Sequence, residues 1–242
     1  MANEPTAQPT TPELVGVGSK ELLAAPSEKR IGFAHDRDLE NGKEEWLTPP
    51  EIIKALGDFD LDPCSPINRP WATAKNHYTI EDNGLLKKWS GRVFCNPPYG
   101  PKTGEWMRRC AEHQNVTALI FARTETQQFF AYIWPKAKAV CFLKGRLSFY
   151  EFTCKVCGTG LSSPGHRKGY CKGVKSDKAV KGGTAGAPSM LVTWDDDNAT
   201  ALWDAVQHGR LKGAFVDLRG GNVAPSTFAP TPGSPSSPKM RA

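Results

Sequence analysis

The apolar run Arg92-Val93-Phe94-Cys95 stops on Asn96-Pro97-Pro98-Tyr99, and this junction constrains the fold more than any other stretch of the chain. Consecutive prolines hold φ fixed and offer no N–H, so neither a helix nor a paired strand continues through them. A short apolar run halted in this way reads as a buried strand that delivers its last residues to the edge of a sheet. There Asn96 brings an amide oxygen, Pro97 turns a carbonyl outward, Pro98 stiffens the turn and Tyr99 brings a flat aromatic face. Two acceptors beside a stacking surface suit a planar exocyclic amine, so the chemistry this junction fits is transfer of a group onto –NH2. Asn, Pro and Gly are also ordinary turn formers, and a rigid turn alone would account for the same residues.

Upstream, Asp58-Phe59-Asp60-Leu61-Asp62-Pro63-Cys64-Ser65 alternates apolar and acidic residues. The pattern predicts a short strand with carboxylates at its C-terminal end, where ligands of open α/β sheets bind. Asp60 and Asp62 then stand ready to accept from a cationic amine or a ribose hydroxyl; a solvated acidic turn stopped by Pro63 is the plainer reading. Before it runs Glu45-Trp46-Leu47-Thr48-Pro49-Pro50-Glu51. Thr48 with Glu51 three residues on, and Pro49 at the first helical position, predicts a capping-box helix start that continues to about Leu56.

Further along, strand and helix signals alternate. Apolar, β-rich runs at 117–122 and 138–143, and later ones at 190–194 and 214–218, read as strands. Helices are expected at 104–112 and 199–207, and after a second capping-box match at Thr124–Gln127 that leads into Phe129, Phe130 and Ile133. Such alternation predicts an α/β sheet with helices on its faces. One domain is expected over 41–219, flanked by tails at 1–40 and 220–242 whose Pro, Ser and Thr content buries too little to offset chain entropy. No apolar run is long enough to span a bilayer, and no secretion signal opens the chain, so a cytoplasmic protein is expected.

Several blocks in register resemble the phage-type DNA N6-adenine methyltransferases. They are the two upstream segments, Asn83-Gly84-Leu85, Lys88-Trp89, Val93 to Gly100 with Trp106, Ala122 to Thr126 with Phe129, Lys144 to Phe149, and Ala187 to Val192. The resemblance runs from about Glu44 to Trp194 and implies a Rossmann-like, S-adenosylmethionine-dependent methyltransferase sheet. By it, Asn96 and the Pro97 carbonyl hold the target amine and Tyr99 stacks on the base. Trp46, Thr48, Pro49, Asp60, Asp62, Pro63 and Cys64 line the donor pocket. It also implies a phage or prophage gene, DNA as partner in a bacterial cytoplasm, a site-specific reaction with GATC as the suggested target, and a role such as evading restriction. One departure stands out: Asp62-Pro63-Cys64-Ser65 occupies the place where many methyltransferases carry a Gly-x-Gly loop.

Formal net charge is +6, and it is concentrated. From Lys144 to Lys181 nine Lys or Arg face only Glu151 and Asp177, a local +7, so the rest of the chain sums to −1. A basic insertion at about 152–186, with Lys144 and Arg146 ahead of it and Arg167, Lys168 and Lys172 within it, reads as a footprint for phosphate backbone; a loop kept soluble by lysines is the alternative. The insertion also holds Cys154-x-x-Cys157, His166 and Cys171, a set that predicts a structural zinc ion folding a DNA-reading lobe. A redox-active or inert Cys-x-x-Cys fits the same spacing. Two other functions stay open on the sequence alone: a non-catalytic, zinc-stabilised DNA-binding protein on a methyltransferase scaffold, and an amino-methyltransferase acting on RNA or a protein amide.

Overall fold

Three α-helices, a π-helical turn and nine strands succeed one another along residues 46–160 and 175–220, the residues this computed structural model describes. Helix α1 (Pro50–Leu56) precedes β1 (Leu61–Asp62), β2 (Asn76–His77) and β3 (Val93–Cys95). Then come α2 (Thr103–His113), β4 (Val116–Phe121), the π-helical turn (Phe129–Ile133) and β5 (Ala139–Leu143). The chain closes with β6 (Ser148–Cys154), β7 (Lys175–Thr184), β8 (Ser189–Thr193), α3 (Asp196–Gln207) and β9 (Gly213–Asp217).

Seven strands form one mixed sheet in the order β2-β1-β3-β4-β8-β5-β9, and β6 pairs with β7 in a separate ribbon. Strand β1 runs parallel to β2 and β3, and β3 to β4. Strand β8 is antiparallel to both β4 and β5, and β9 to β5. It follows that β1 to β5 all aim their C-terminal ends at one rim, the rim on which Asn96 emerges.

Period-two alternation decides which side chains cover each face. Val93, Cys95, Val116, Ala118, Ile120, Val140, Met190 and Val192 point to one face, which α2 and the π turn cover with Trp106, Met107, Cys110, Phe129 and Ile133. Phe94, Leu119, Cys141 and Leu191 point to the other, packed by Ile52, Ala55 and Leu56 of α1 and Leu202 and Ala205 of α3. The result is a three-layer α/β arrangement with both sheet faces buried, which is why the central strands read as continuous apolar runs rather than alternating ones.

At the rim opposite Asn96 a polar staple ties α3 to the sheet. Asp195 caps the helix by accepting the Asn198 N–H at 2.9 Å, and Asp196 and Asp197 stand in its first turn, where negative charge suits the helix dipole. The buried Asn198 amide is fully occupied. Its Oδ1 accepts from Arg92 Nε (2.7 Å) and Thr117 Oγ1 (3.0 Å), while its Nδ2 donates to Asn115 Oδ1 (2.9 Å) and Asp195. Arg92 also lies over the Phe59 ring at 4.3 Å and donates to the Asp58 and Leu56 carbonyls.

Two expected helix starts take another form. No side chain caps α1; Pro49 and Pro50 have removed two N–H groups that would otherwise need partners, and the Thr48 hydroxyl is engaged elsewhere. The Thr124–Gln127 match opens a bend in which Thr126 Oγ1 donates back to the Arg123 carbonyl at 2.8 Å. That bend leads only into the five-residue π turn, with Phe129 and Ile133 buried and Phe130 exposed. The tails expected at 1–40 and 220–242 fall outside the described residues except for Gly220, as do His166, Arg167, Lys168, Cys171 and Lys172. No helix among the described residues is long and apolar enough to cross a membrane.

Candidate active site

Strand β3 ends at Cys95, and the prolines then turn the chain across the rim. Asn96 is half-buried there between two hydroxyls. Its Nδ2 donates to Thr48 Oγ1 at 3.0 Å, and its Oδ1 accepts the Tyr99 hydroxyl at 3.2 Å. That phenol also lies 3.4 Å from the Leu119 carbonyl. The Tyr99 ring stacks on Phe121, at the end of β4, with centroids 3.9 Å apart and planes 7° from parallel. One face of Tyr99 is therefore already covered, and a base stacking on it must take the opposite face or displace Phe121. Burial, together with the Cys64 and Cys95 thiols, pushes the Tyr99 pKa well above that of a free phenol. The hydroxyl is thus a donor, not a base.

Thr48 arrives from a segment laid along the separate ribbon. Leu47 exchanges both backbone hydrogen bonds with Tyr150 at 2.9 and 3.0 Å, and Trp46 packs against Phe149. The Trp71 indole donates to the Thr48 carbonyl at 3.0 Å and meets the Tyr150 ring edge-on. Thr48 and Pro49 are both buried. Leucine pairing, indole and prolines together hold the backbone from which the Thr48 hydroxyl reaches Asn96.

On the neighbouring strand, Asp62 is buried at the end of β1. Its carboxylate accepts the Cys64 N–H at 3.1 Å and the Thr73 hydroxyl. Burial nevertheless pushes its pKa up to about 6, against the lowering pull of those bonds and of Arg69. Thr73 is held in place by His77, whose Nε2 accepts its N–H at 3.3 Å and that of Ala74 at 3.4 Å. Burial and Arg69 push the His77 pKa down, which keeps that nitrogen an acceptor. Cys64 Sγ lies 3.7 Å from Cys95 Sγ, behind Asn96. Burial pushes the Cys64 thiol up to about 11 and pushes the Cys95 thiol up as well, so neither supplies a thiolate.

The loop after Ser65 borders an open cleft of about 400 Å³ lined by Ile67, Asn68, Arg69, Pro70 and Phe152. Pro63 is packed so closely on Gly84 that a Cβ there would meet the Pro63 oxygen at 1.8 Å. Trp89 fixes that contact by donating its indole N–H to the Gly84 carbonyl at 2.8 Å. The Asn83-Gly84-Leu85 block and Trp89 thus support the Asp62–Ser65 turn, in the place where a Gly-x-Gly loop would otherwise stand.

Among the residues expected to line a donor pocket, the rim gathers Thr48, Pro49, Asp62, Pro63 and Cys64. Asp60 does not join them. It stands at the start of β1, where Arg92 N–H and Lys75 Nζ bond its carboxylate at 2.9 Å each, and these partners hold its pKa below the usual range. Trp46 packs on Phe149 at one side. Lys144 and Arg146 are exposed just past β5, on the same rim as Asn96, and Arg146 donates to the Ala185 carbonyl at 3.4 Å. Thr73, His77 and Phe121 carry no motif that marks them in the sequence.

The zinc expectation finds no support among the described residues, where no group of three or more His, Cys, Asp or Glu is placed to hold a metal ion. Cys154 is buried at the end of β6 with its sulfur accepting the Val156 N–H at 3.3 Å, while Cys157 is exposed and contacts Thr159 Oγ1 at 3.0 Å. Burial of one thiol and exposure of the other turns them to different surroundings.

No curated protein and no solved structure matches the chain. A family model does: that of the DNA N-6-adenine-methyltransferases (Dam), over residues 36–202. That span covers more than half of the chain and includes the Asn96 junction, Asp62 and Thr48, so the chain belongs to the DNA N-6-adenine-methyltransferase (Dam) family.

Proposed function

We propose that this protein transfers a methyl group from S-adenosylmethionine to the N6 amine of adenine at specific sites in DNA, as a phage or prophage product working in a bacterial cytoplasm on a Rossmann-like sheet. What carries the reading is Asn96 at the sheet rim, its amide held between Thr48 and Tyr99, inside a chain of the adenine-methyltransferase family. When bound, S-adenosylmethionine supplies the methyl group as a sulfonium electrophile. The residues present suit it. Asp62 is a buried carboxyl whose near partners are a hydroxyl and a backbone N–H, and a cationic ligand beside it would restore its ionised form. Pro63 and Cys64 follow Asp62 directly, and Thr48 reaches Asn96 on the same rim.

Asn96 Oδ1 and the Pro97 carbonyl accept the two N–H groups of the adenine amine and draw its nitrogen toward tetrahedral geometry. Positioning of this kind lowers a barrier by up to roughly 7–11 kcal/mol when alignment is ideal. Tyr99 holds the flipped base by stacking, which offsets part of the few kcal/mol that extrusion from the duplex costs. No side chain at the rim needs to act as a strong base, because the proton leaves readily from the cationic amine. Lys144 and Arg146, with Arg167, Lys168 and Lys172, meet the phosphate backbone.

Incubation with methyl-labelled S-adenosylmethionine and unmethylated DNA, followed by nucleoside analysis, tests the reading. N6-methyl-2′-deoxyadenosine carrying the label is the expected product, and Asn96→Ala is expected to abolish it while donor affinity stays within about threefold. Near-normal turnover by Asn96→Ala would sink the assignment, and label in RNA or protein alone would redirect it.

A further inference from the structure

We infer that Thr73 is a positioning residue for donor binding: its buried hydroxyl, anchored by His77, donates to the Asp62 carboxylate and holds it ready, as an anion, for a cationic ligand. This rests on the donor role just proposed for Asp62 and names what equips that residue for it. An ionised carboxyl accepts and never donates, so a hydroxyl that bonds to it has to supply the proton. Such a bond is stronger to the charged form than to the neutral one, and it therefore favours ionisation where burial opposes it.

Asp62 has few partners. Oδ1 accepts the Cys64 N–H at 3.1 Å, within its own turn, and Oδ2 accepts from Thr73, eleven positions on in sequence. Burial raises its pKa to about 6; of the groups that pull the other way Thr73 is foremost, ahead of the Cys64 N–H and thiol and of the Arg69 charge. Neighbouring titratable groups do not replace the bond. The Arg69 guanidinium donates to the Pro66 and Ile67 carbonyls and reaches Asp62 through charge alone. Burial keeps the Cys64 thiol protonated, and burial with Arg69 keeps His77 neutral.

Thr73 is 7% exposed and lies in an irregular stretch between Trp71 and β2, so individual contacts hold its backbone. On one side the Trp71 indole donates to the Thr48 carbonyl at 3.0 Å. On the other, Lys75 N–H donates to the Phe59 carbonyl at 3.0 Å, and parallel pairing of β2 with β1 sets His77 opposite Asp62. From there His77 Nε2 reaches back to accept the N–H groups of Thr73 at 3.3 Å and Ala74 at 3.4 Å. The ladder that places Asp62 thus also places the ring that anchors its hydroxyl partner.

A pH profile separates this role from a merely structural one. Calorimetry with S-adenosylmethionine on the full chain gives donor affinity at about pH 6.5 and about pH 8.5, a range in which His77, lowered from its ordinary value of 6.5, stays largely neutral. The ratio of variant to unmodified affinity is compared at each pH, because titration of the donor itself cancels in it. Thr73→Val removes the hydroxyl, so Asp62 gains its proton at a higher pH; binding should be about three- to tenfold weaker at the lower pH and within about twofold at the higher. Thr73→Ser keeps the hydroxyl and should stay within about twofold at both. His77→Phe leaves the hydroxyl but removes its anchor; it should show the same trend, and it keeps the test open if Thr73→Val does not fold. In an Asp62→Asn background Thr73→Val should change affinity by about twofold or less at either pH. A ratio that is the same at both pH values, or a Thr73→Ser defect equal to that of Thr73→Val, would overturn the inference. If the unmodified protein binds no S-adenosylmethionine, the functional reading itself fails, before any variant is compared.

Discussion

Asp62 shows how one buried residue can tie stability to pH. Its folded pKa of about 6 lies above the ordinary 3.8, so the folded state holds the proton more tightly than the unfolded one. Stability contributed through this group is therefore fully present below about pH 4, declines as pH rises to about 6, and is level beyond that. The gap of about two pKa units corresponds to roughly 3 kcal/mol. Asp62→Asn should flatten that slope and raise the urea midpoint at pH 7 to 8, while weakening donor binding in calorimetry. A variant that keeps the wild-type pH slope would show that another group titrates. Asp62 was legible in the sequence as an acid at a strand end. Asp60, two positions away with the same credentials, was not separable from it, because only the register of β1 against β3 places Asp60 beside Arg92 at the far rim. Phe121 was equally hidden: a single aromatic at a strand end says nothing about a ring 22 positions earlier until β3 and β4 pair.

Elements were legible where a local rule was sufficient and misread where a long-range contact overrode it. The strands at 116–121, 139–143 and 189–193 and the helix at 196–207 arise from apolar runs and an Asp cap. The Thr48–Glu51 pattern has the residues of a capping box, yet the threonine bonds to Asn96 instead, and nothing within its own helix could have told the two apart. The connection of α3 to the sheet depends on Asn198, which the sequence marks only as one more polar residue near a helix start. Asn198→Ala removes both ends of a buried amide and leaves Arg92 Nε, Thr117 Oγ1 and Asn115 Oδ1 short of a partner. A loss of about 2–4 kcal/mol in urea unfolding is expected, with the methylation rate of the remaining folded protein unchanged, since this staple stands at the rim away from Asn96. A slower rate at full folding would mean that the two rims communicate.

Across the whole molecule, the proposed reading has charge meeting DNA from the side of the Asn96 rim. Lys144 and Arg146 share that rim, and seven further Lys or Arg lie beyond them in sequence, between Lys155 and Lys181. Alanine at both positions should weaken binding uniformly across DNA sequences. It should also reduce the slope of log affinity against log salt by about one for each phosphate no longer neutralised, read by fluorescence anisotropy over a salt series. An unchanged slope would place the phosphate-binding side chains elsewhere. The cysteines lend themselves to a practical use. Cys64, Cys95 and Cys141 are thiols whose burial raises their pKa values, and Cys110 and Cys154 are buried as well. Among the cysteines of the described residues, Cys157 alone is exposed. A maleimide dye added briefly at neutral pH would therefore choose Cys157, just past β6, over the thiols beside Asn96, turning that end of β6 into a reporter of when DNA arrives.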